Sequence, residues 1–511
     1  MGLKNSAPVY CLIALNLLGL SSLHAQESPD LPASFFEGRR EALRALMPPH
    51  SVCVLFSAPG VDYSSDMRTP YLQNPDLYYF SGFREQDAMM LIFKEPQHFT
   101  GSNRALKEVL FMQPSNASME KWTGRRMTLE EAMDGLHIDT AIDAFRFRIF
   151  PINFASYRNI LLDLPPENVQ ASGYNRADLY NLLLQFRARA GIYRSLTRRD
   201  LLLSNLMVDR NSPSQKKLID TLLNEHINYI LFDRLTSQLR EVKTREELSM
   251  LGRSIEITCS GQNEAIRSFT PSSSEREIQG ILEYMAKKGG AETMAFPTLV
   301  ASGNNGCILF YNGNKASHVG NQLVIMESGA EYEGYASKVT RTVPASGTFT
   351  KEQLEIYNIV LAARDSSIAA VHAGIPFEKL EETGRRVIAN GLVKLGIIGN
   401  PEEVPQYFPH GVASSIGMNV HDKYLLGASL QKNMVITIGP GIYITEGSPC
   451  NKKWWGIAVR IVDDVLVLED HGEILSSSVP VLPSGIESLM KQNSIFKNRQ
   501  SIDLPTRSGK K

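Results

Sequence analysis

Residues Leu323 to Pro344 read LVIMESGAEYEGYASKVTRTVP, a stretch compatible with few local folds. The short apolar run Leu323–Met326 is punctuated by Gly329 and Gly334, and Tyr335–Thr342 then alternates until Pro344 stops it. The pattern predicts two strands around a tight turn. A hairpin of this kind aims side chains eleven residues apart at one point.

Length sets the frame around it. At 511 residues the chain exceeds what one ordinary core organises, so two domains are expected. A hydrophobic fraction of 43% with 21% charged residues describes a soluble globular protein. The net charge of -1 and pI near 6.8 give no electrostatic basis for nucleic acid as partner.

The amino terminus has the layout of a secretory signal peptide. Lys4 precedes an apolar run from Val9 to Leu20, and Ser21-Ser22-Leu23-His24-Ala25 supplies the small-residue cleavage region. Residues 1–25 are therefore read as removed, leaving a secreted or periplasmic protein. The run is too short for a membrane span, and none is expected after cleavage. Met1–Ser6 fits the loose myristoylation pattern by chance, and Cys11 stands too early in the run for a lipoprotein anchor. Four cysteines remain: Cys53, Cys259, Cys307 and Cys450. Their wide spacing forms no disulfide framework, although pairing stays open, and buried free thiols are expected for Cys53 and Cys259. No CxxC or His/Cys cluster points to zinc. Asn116-Ala117-Ser118 is a glycosylation sequon, which has meaning only in a eukaryotic secretory pathway.

Residues 30–235 alternate strands and helices. A charged helix follows Glu37; strands are expected at Ser51–Ser57, Leu77–Phe83, Ala88–Phe93, Val109–Met112, Ile160–Leu164 and Tyr229–Phe232, with a helix at Leu129–Gly135. Residues 236–484 change texture. Capping boxes at Thr244/Glu247, Ser274/Glu277 and Thr350/Gln353 open three helices, and Gly289-Gly290 stops the second. Phe296–Ser302 reads as a strand, and residues 485–511 as a loose basic tail.

The hairpin resembles the metal-binding hairpin of the aminopeptidase P branch of the M24 methionine aminopeptidase/creatinase superfamily. Gly329, Glu331, Tyr332, Gly334, Tyr335, Thr340, Arg341, Thr342 and Pro344 carry the likeness. Asn74–Phe83 and Lys121–Arg126 (KWTGRR) resemble the same family's N-terminal domain, and the likeness runs from about Glu37 to Pro480. It implies an α/β fold of two domains: an aminopeptidase P-like N-terminal domain and a C-terminal pita-bread domain, with two antiparallel helix pairs over a curved sheet. It also implies self-association, or association with an active relative.

The family's chemistry uses two divalent metals, typically manganese, held by two Asp, one His and two Glu. At those places this chain has Glu327, Lys338, Ser414 (in His410-Gly-Val-Ala-Ser414), Gly439 (in Thr437-Ile-Gly-Pro-Gly-Ile-Tyr443) and Val462 (in Arg460-Ile-Val-Asp-Asp464). Side-chain charges that would sum to minus four now sum to zero, and two divalent ions need anionic oxygen or imidazole donors. No metal cofactor is expected, and an ion pair between Glu327 and Lys338 is expected in its place. His410, His421, Tyr443 and Arg460 match residues the family places around its substrate, and the resemblance implies that they line a pocket in this chain. Phe310 replaces a further family histidine and argues against a metal-free creatinase-like reaction. A Ser414/His410/Asp464 triad lacks a nucleophile elbow, so no catalytic residue is assigned. Three functions follow: a pseudo-peptidase binding peptide N-termini, an active Xaa-Pro aminopeptidase, or a non-catalytic partner of an active relative. Amino-terminal sequencing of the native protein is expected to start near Gln26; an intact Met1 would remove the export reading.

Overall fold

The computed structural model describes residues 31–60, 70–100, 104–163, 169–171, 175–191 and 226–497. The signal-peptide segment, Leu164 and the tail beyond residue 497 lie outside the described residues. Strands β1 (Ser51–Phe56), β2 (Met89–Gln97), β3 (Leu106–Met112), β4 (Ala141–Asp143) and β5 (Asn159–Leu162) form a mixed sheet in the order β4-β3-β2-β1-β5. Every β1 residue is buried because both faces are covered. Cys53 and Leu55 pack with Phe35, Phe36 and Leu43 of helix Ala33–Leu46. Val52, Val54 and Phe56 pack on the other side with Leu182 and Phe186 of helix Leu179–Ala190. Cys53 and Cys259 are buried, Cys307 and Cys450 are half-buried, and all four are free.

Two expected strands are helices. Pro75–Ser81 is helical because Asn74 caps it, accepting from the Asp76 and Leu77 amides, Pro75 occupies the first turn, and Gly82 closes it at φ 72°. Its buried aromatics serve the core. Tyr229–Glu241 is a helix capped by Asn228: Tyr229, Phe232 and Leu235 are buried at helical spacing while Ile230 is exposed, so the short apolar run that reads as a strand wraps around the helix. The segment past residue 484 is not loose throughout. Helix Pro483–Met490 starts at a proline and buries Ile486, Leu489 and Met490, three apolar residues on one face.

In the second half all three capping boxes form, opening helices Arg245–Ser268, Glu275–Lys288 and Lys351–Ala369. The first two pack together, and the third packs with Phe377–Lys394. Strands β6 (Thr293–Met294), β7 (Leu299–Ser302), β8 (Leu323–Ser328), β9 (Ala330–Tyr332), β10 (Tyr335–Ala336) and β11 (Val339–Pro344) carry the hairpin. They are followed by β12 (Ala413–Ser415), β13 (Val435–Ile438), β14 (Gly441–Ile444), β15 (Ile457–Arg460), β16 (Asp463–Val467) and β17 (Gly472–Ile474). The hairpin is double: β8 and β11 pair beside β7, and β9 and β10 pair beside β6. Its tip, Glu333 at φ 49° and Gly334 at φ 75°, is a two-residue turn with both residues left-handed, the form that matches strand twist.

The two halves share a core. One apolar cluster contains Leu77, Phe232, Leu251, Tyr335 and Ile416, so a boundary at residue 235 falls inside helix Tyr229–Glu241 rather than in a linker. Buried charges cross the same junction. Arg240 donates to Asp76 at 2.7 Å and also pairs with Asp422, whose other oxygen lies 3.1 Å from Lys243 Nζ. Lys423 reaches Asp76 at 2.9 Å. Among the described residues no helix is long and apolar enough to cross a membrane. Replacing Asp422 by Ala leaves Lys243 a buried cation without a carboxylate and Arg240 with Asp76 alone, so unfolding in urea is expected to show a loss of about 3–5 kcal/mol; an unchanged midpoint would show the network to be unimportant.

Candidate functional site

Strand pairing sets the site. β8 and β11 run antiparallel with Glu327 opposite Thr340, which leaves Lys338 at the break before β11. Its backbone N–H is held by Asp464 Oδ2 at 3.0 Å. The Lys338 ammonium lies 3.2 Å from Glu327 Oε1. Arg460, closing β15, donates Nη1 to Oε2 at 2.9 Å. One carboxylate is thus clamped between two cations, and the sequence pattern had indicated only the lysine. Burial works against the Glu327 charge, but Arg460 and then Lys338 outweigh it and hold the carboxyl below its ordinary value.

These groups floor a cavity of about 420 Å³, which His410, His421, Ser414, Gly439 and Val462 also line. Tyr443 does not line it. The ring stands behind His410 and donates its hydroxyl to His410 Nε2 at 2.7 Å. His410 Nδ1 faces the Gly411 carbonyl at 2.8 Å, and a carbonyl only accepts, so Nδ1 carries the proton. Burial, with the Arg460 cation beside it, pushes His410 down to about 4, so the ring is neutral near pH 7 with both nitrogens engaged. His421 is exposed on the cavity wall. Phe310, 93% exposed, stands at the cavity's edge.

The remaining changed positions fill space rather than offer ligands. Ser414 and Thr437, paired across β12 and β13, share a hydroxyl–hydroxyl bond of 2.6 Å. A Cβ on Gly439 would sit 2.8 Å from Val462 Cγ2. The Val462 backbone bridges Thr340 in both directions at 3.1 and 3.2 Å. A side chain at 439 therefore competes for space with the Val462 methyl as it now stands, and one of the two must shift. Among the described residues no group of three or more His, Cys, Asp or Glu is arranged to hold a metal ion. With one carboxylate already bound by two cations, the residues do not fit a pair of divalent ions. The Ser414/His410/Asp464 triad does not assemble either, since each member is bonded to a different partner.

The model of the metallopeptidase family M24 matches residues 249–469, and that of the aminopeptidase P N-terminal domain matches residues 36–150. The Xaa-Pro aminopeptidase of Escherichia coli (strain K12) is 33% identical over 470 residues, covering 89% of this chain and 97% of that one. The chain belongs to the aminopeptidase P branch of family M24. Xaa-Pro aminopeptidase 3 of Homo sapiens is 27% identical over 452 residues, covering 86% of this chain and 81% of that one. The structure of aminopeptidase P from E. coli with the inhibitor Pro-Leu matches this M24 chain with a TM-score of 0.74 at 29% identity, over 90% of this chain and 98% of that one. Proline aminopeptidase P II from Yersinia pestis gives a TM-score of 0.74 at 28% identity, over 90% and 99%.

Beneath the floor of this aminopeptidase P-like site lies a buried acid. Burial pushes Asp464 up to about 8, and its Oδ1 has no hydrogen-bond partner among the described residues. Between pH about 4, where an unfolded Asp loses its proton, and about 8, the folded state holds a proton that the unfolded state has released. Stability from this group is therefore greatest at low pH and falls by up to about 1.4 kcal/mol per pH unit across that window. Asp464→Asn removes the dependence, so the stability gap between variant and parent is expected to widen in the variant's favour from pH 4 to 8. Parallel pH curves in chemical denaturation would contradict the assignment.

Proposed function

We propose that this chain is a catalytically degenerate aminopeptidase P relative that binds peptide ends without hydrolysing them, and that it is exported by way of its first 25 residues. The observation carrying the reading is the clamp itself: Glu327, between Lys338 Nζ at 3.2 Å and Arg460 Nη1 at 2.9 Å, stands where the resemblance places a metal ligand. The charge at that point is already balanced by side chains. A metal-bound hydroxide, the nucleophile of dimetal hydrolysis, then has nowhere to form. His410 offers no alternative base, because both of its nitrogens are bonded within the protein. The cavity remains large enough for a small ligand, which supports binding over a purely structural role.

A second reading, an active Xaa-Pro aminopeptidase, is favoured by 33% identity across nearly the whole length of a protein of that name. Metal content and turnover separate the two. Purified full-length protein incubated with manganese and then desalted is expected to retain no stoichiometric metal and to release no amino-terminal residue from an Xaa-Pro peptide. The variant Lys338→Asp is expected to be equally inactive, because four other ligand positions remain changed. Stoichiometric manganese together with turnover by the unmodified protein would overturn the degenerate reading.

A further inference from the structure

The charged side chains lining the cavity are Glu327, Lys338 and Arg460, one anion against two cations. Both Glu327 oxygens are taken, one by each cation. The cations are not saturated in return. The Lys338 ammonium has three N–H donors and makes one contact with an anion, while the nearest ring, Phe296, is 5.8 Å away at its centroid. The Arg460 side chain makes its one hydrogen bond among the described residues through Nη1. Neutral His410 adds no charge, and Ser414 and Thr437 are bonded to each other. The floor therefore carries one surplus positive charge and spare donors, with no free acceptor of matching strength. An ammonium placed there would face two cations.

The wall above the floor is of the opposite character. Phe296, Pro297, Leu299, Leu309 and Phe310 line the cavity, and Phe310, 93% exposed, offers its ring to whatever enters. A ligand satisfying both parts has an anionic head and an apolar body.

Resting on the non-catalytic reading, we infer that the cavity binds a monocarboxylate with an apolar body, its carboxylate set between Lys338 and Arg460 and its body along Phe310, and that it is not an ammonium site. The metal-bearing frame has been converted from an anionic shell to a carboxylate receptor. Two sources supply such a head: the C-terminus of a peptide, or a free organic acid.

Isothermal titration of the purified full-length protein tests this with four probes: N-acetyl-Ala-Leu, its C-terminal amide, Ala-Leu amide with a free amine, and hexanoate. N-acetyl-Ala-Leu or hexanoate is expected to bind, and amidation of the former to weaken binding about tenfold or more, as loss of a charge-assisted contact does. Binding by the peptide acid alone identifies a peptide C-terminus, binding by hexanoate alone a free acid, and binding by both the shared chemistry; each supports the inference. Lys338→Met is expected to bring the acid down to the affinity of its amide. Should that variant fail to fold, Phe310→Asp at the exposed rim puts a negative charge at the mouth, and is expected to weaken the acid several-fold more than the amide. Measurable binding of N-acetyl-Ala-Leu and its amide with equal affinity, no binding by any acid, or preference for Ala-Leu amide would each overturn the inference. The last result would leave peptide-end binding without turnover intact, whereas manganese-dependent cleavage would remove both.

Discussion

The backbone at Gly329 lies so close to the partner arm that a Cβ there would stand 1.8 Å from Ser337 O. The site depends on that approach. It lets the double hairpin pass from the β8–β11 pair to the β9–β10 pair without a side chain between the arms. Ser337 is fixed on the other side by Ser254 and Thr258 of helix Arg245–Ser268, at 2.9 and 2.7 Å. With Ser337 pinned, Lys338 has one place to go. Its amide meets Asp464 and its side chain meets Glu327.

What occupies that place is constrained by charge. A lone carboxylate at 327 would be buried and would take up a proton rather than remain ionised. Lys338 and Arg460 keep it charged, and it in turn holds two cations in a half-closed cavity. Such a cluster adds little stability over apolar packing but is costly to break from one side. The other changes obey a different force. Gly439 and Val462 are complementary in shape, so a side chain at 439 would displace the Val462 methyl from its present position. Four of the five altered positions thus fall into two sets, one electrostatic (Glu327 and Lys338) and one steric (Gly439 and Val462), while Ser414 is held by Thr437.

Much of the fold was legible because its signals are local. The boxes at Thr244, Ser274 and Thr350 name both the cap and its partner three residues on, and each helix starts there. The hairpin was legible from the apolar run Leu323–Met326, the two glycines and the alternation that Pro344 ends. The errors at Leu77–Phe83 and Tyr229–Phe232 share a cause: a short run of consecutive apolar residues has no readable period, whether it is buried throughout or, as at Ile230, partly exposed, and only Asn74-Pro75 and Asn228 marked helix starts. Within the site, the Glu327–Lys338 meeting follows from one hairpin, but Arg460 arrives from β15, 133 positions away, and only the fold joins it to Glu327. For the same reason the sequence could not show that Tyr443 stands behind His410 rather than in the cavity, or that His410 has no free nitrogen.

The residues that make the family recognisable are mostly those that hold the backbone. Arg341 is fully buried and donates to Asp463 at 2.7 Å and to the Val462 and Val479 carbonyls; Arg364 reaches the same Asp463 at 2.8 Å. Thr342 ties β11 to Arg460 by accepting from its amide and donating to its carbonyl. None of these contacts involves a metal ligand position except through its main chain. A chain under selection only to fold would keep Arg341, Thr342 and Asp463, because each loss leaves buried donors or a buried charge unpaired. Metal-binding side chains have no such protection, since their carboxylates repel one another whenever the ions are absent. Family likeness over the whole chain is therefore compatible with the degenerate reading proposed above, because the frame is held by its own hydrogen bonds and not by the side chains at the metal-ligand positions.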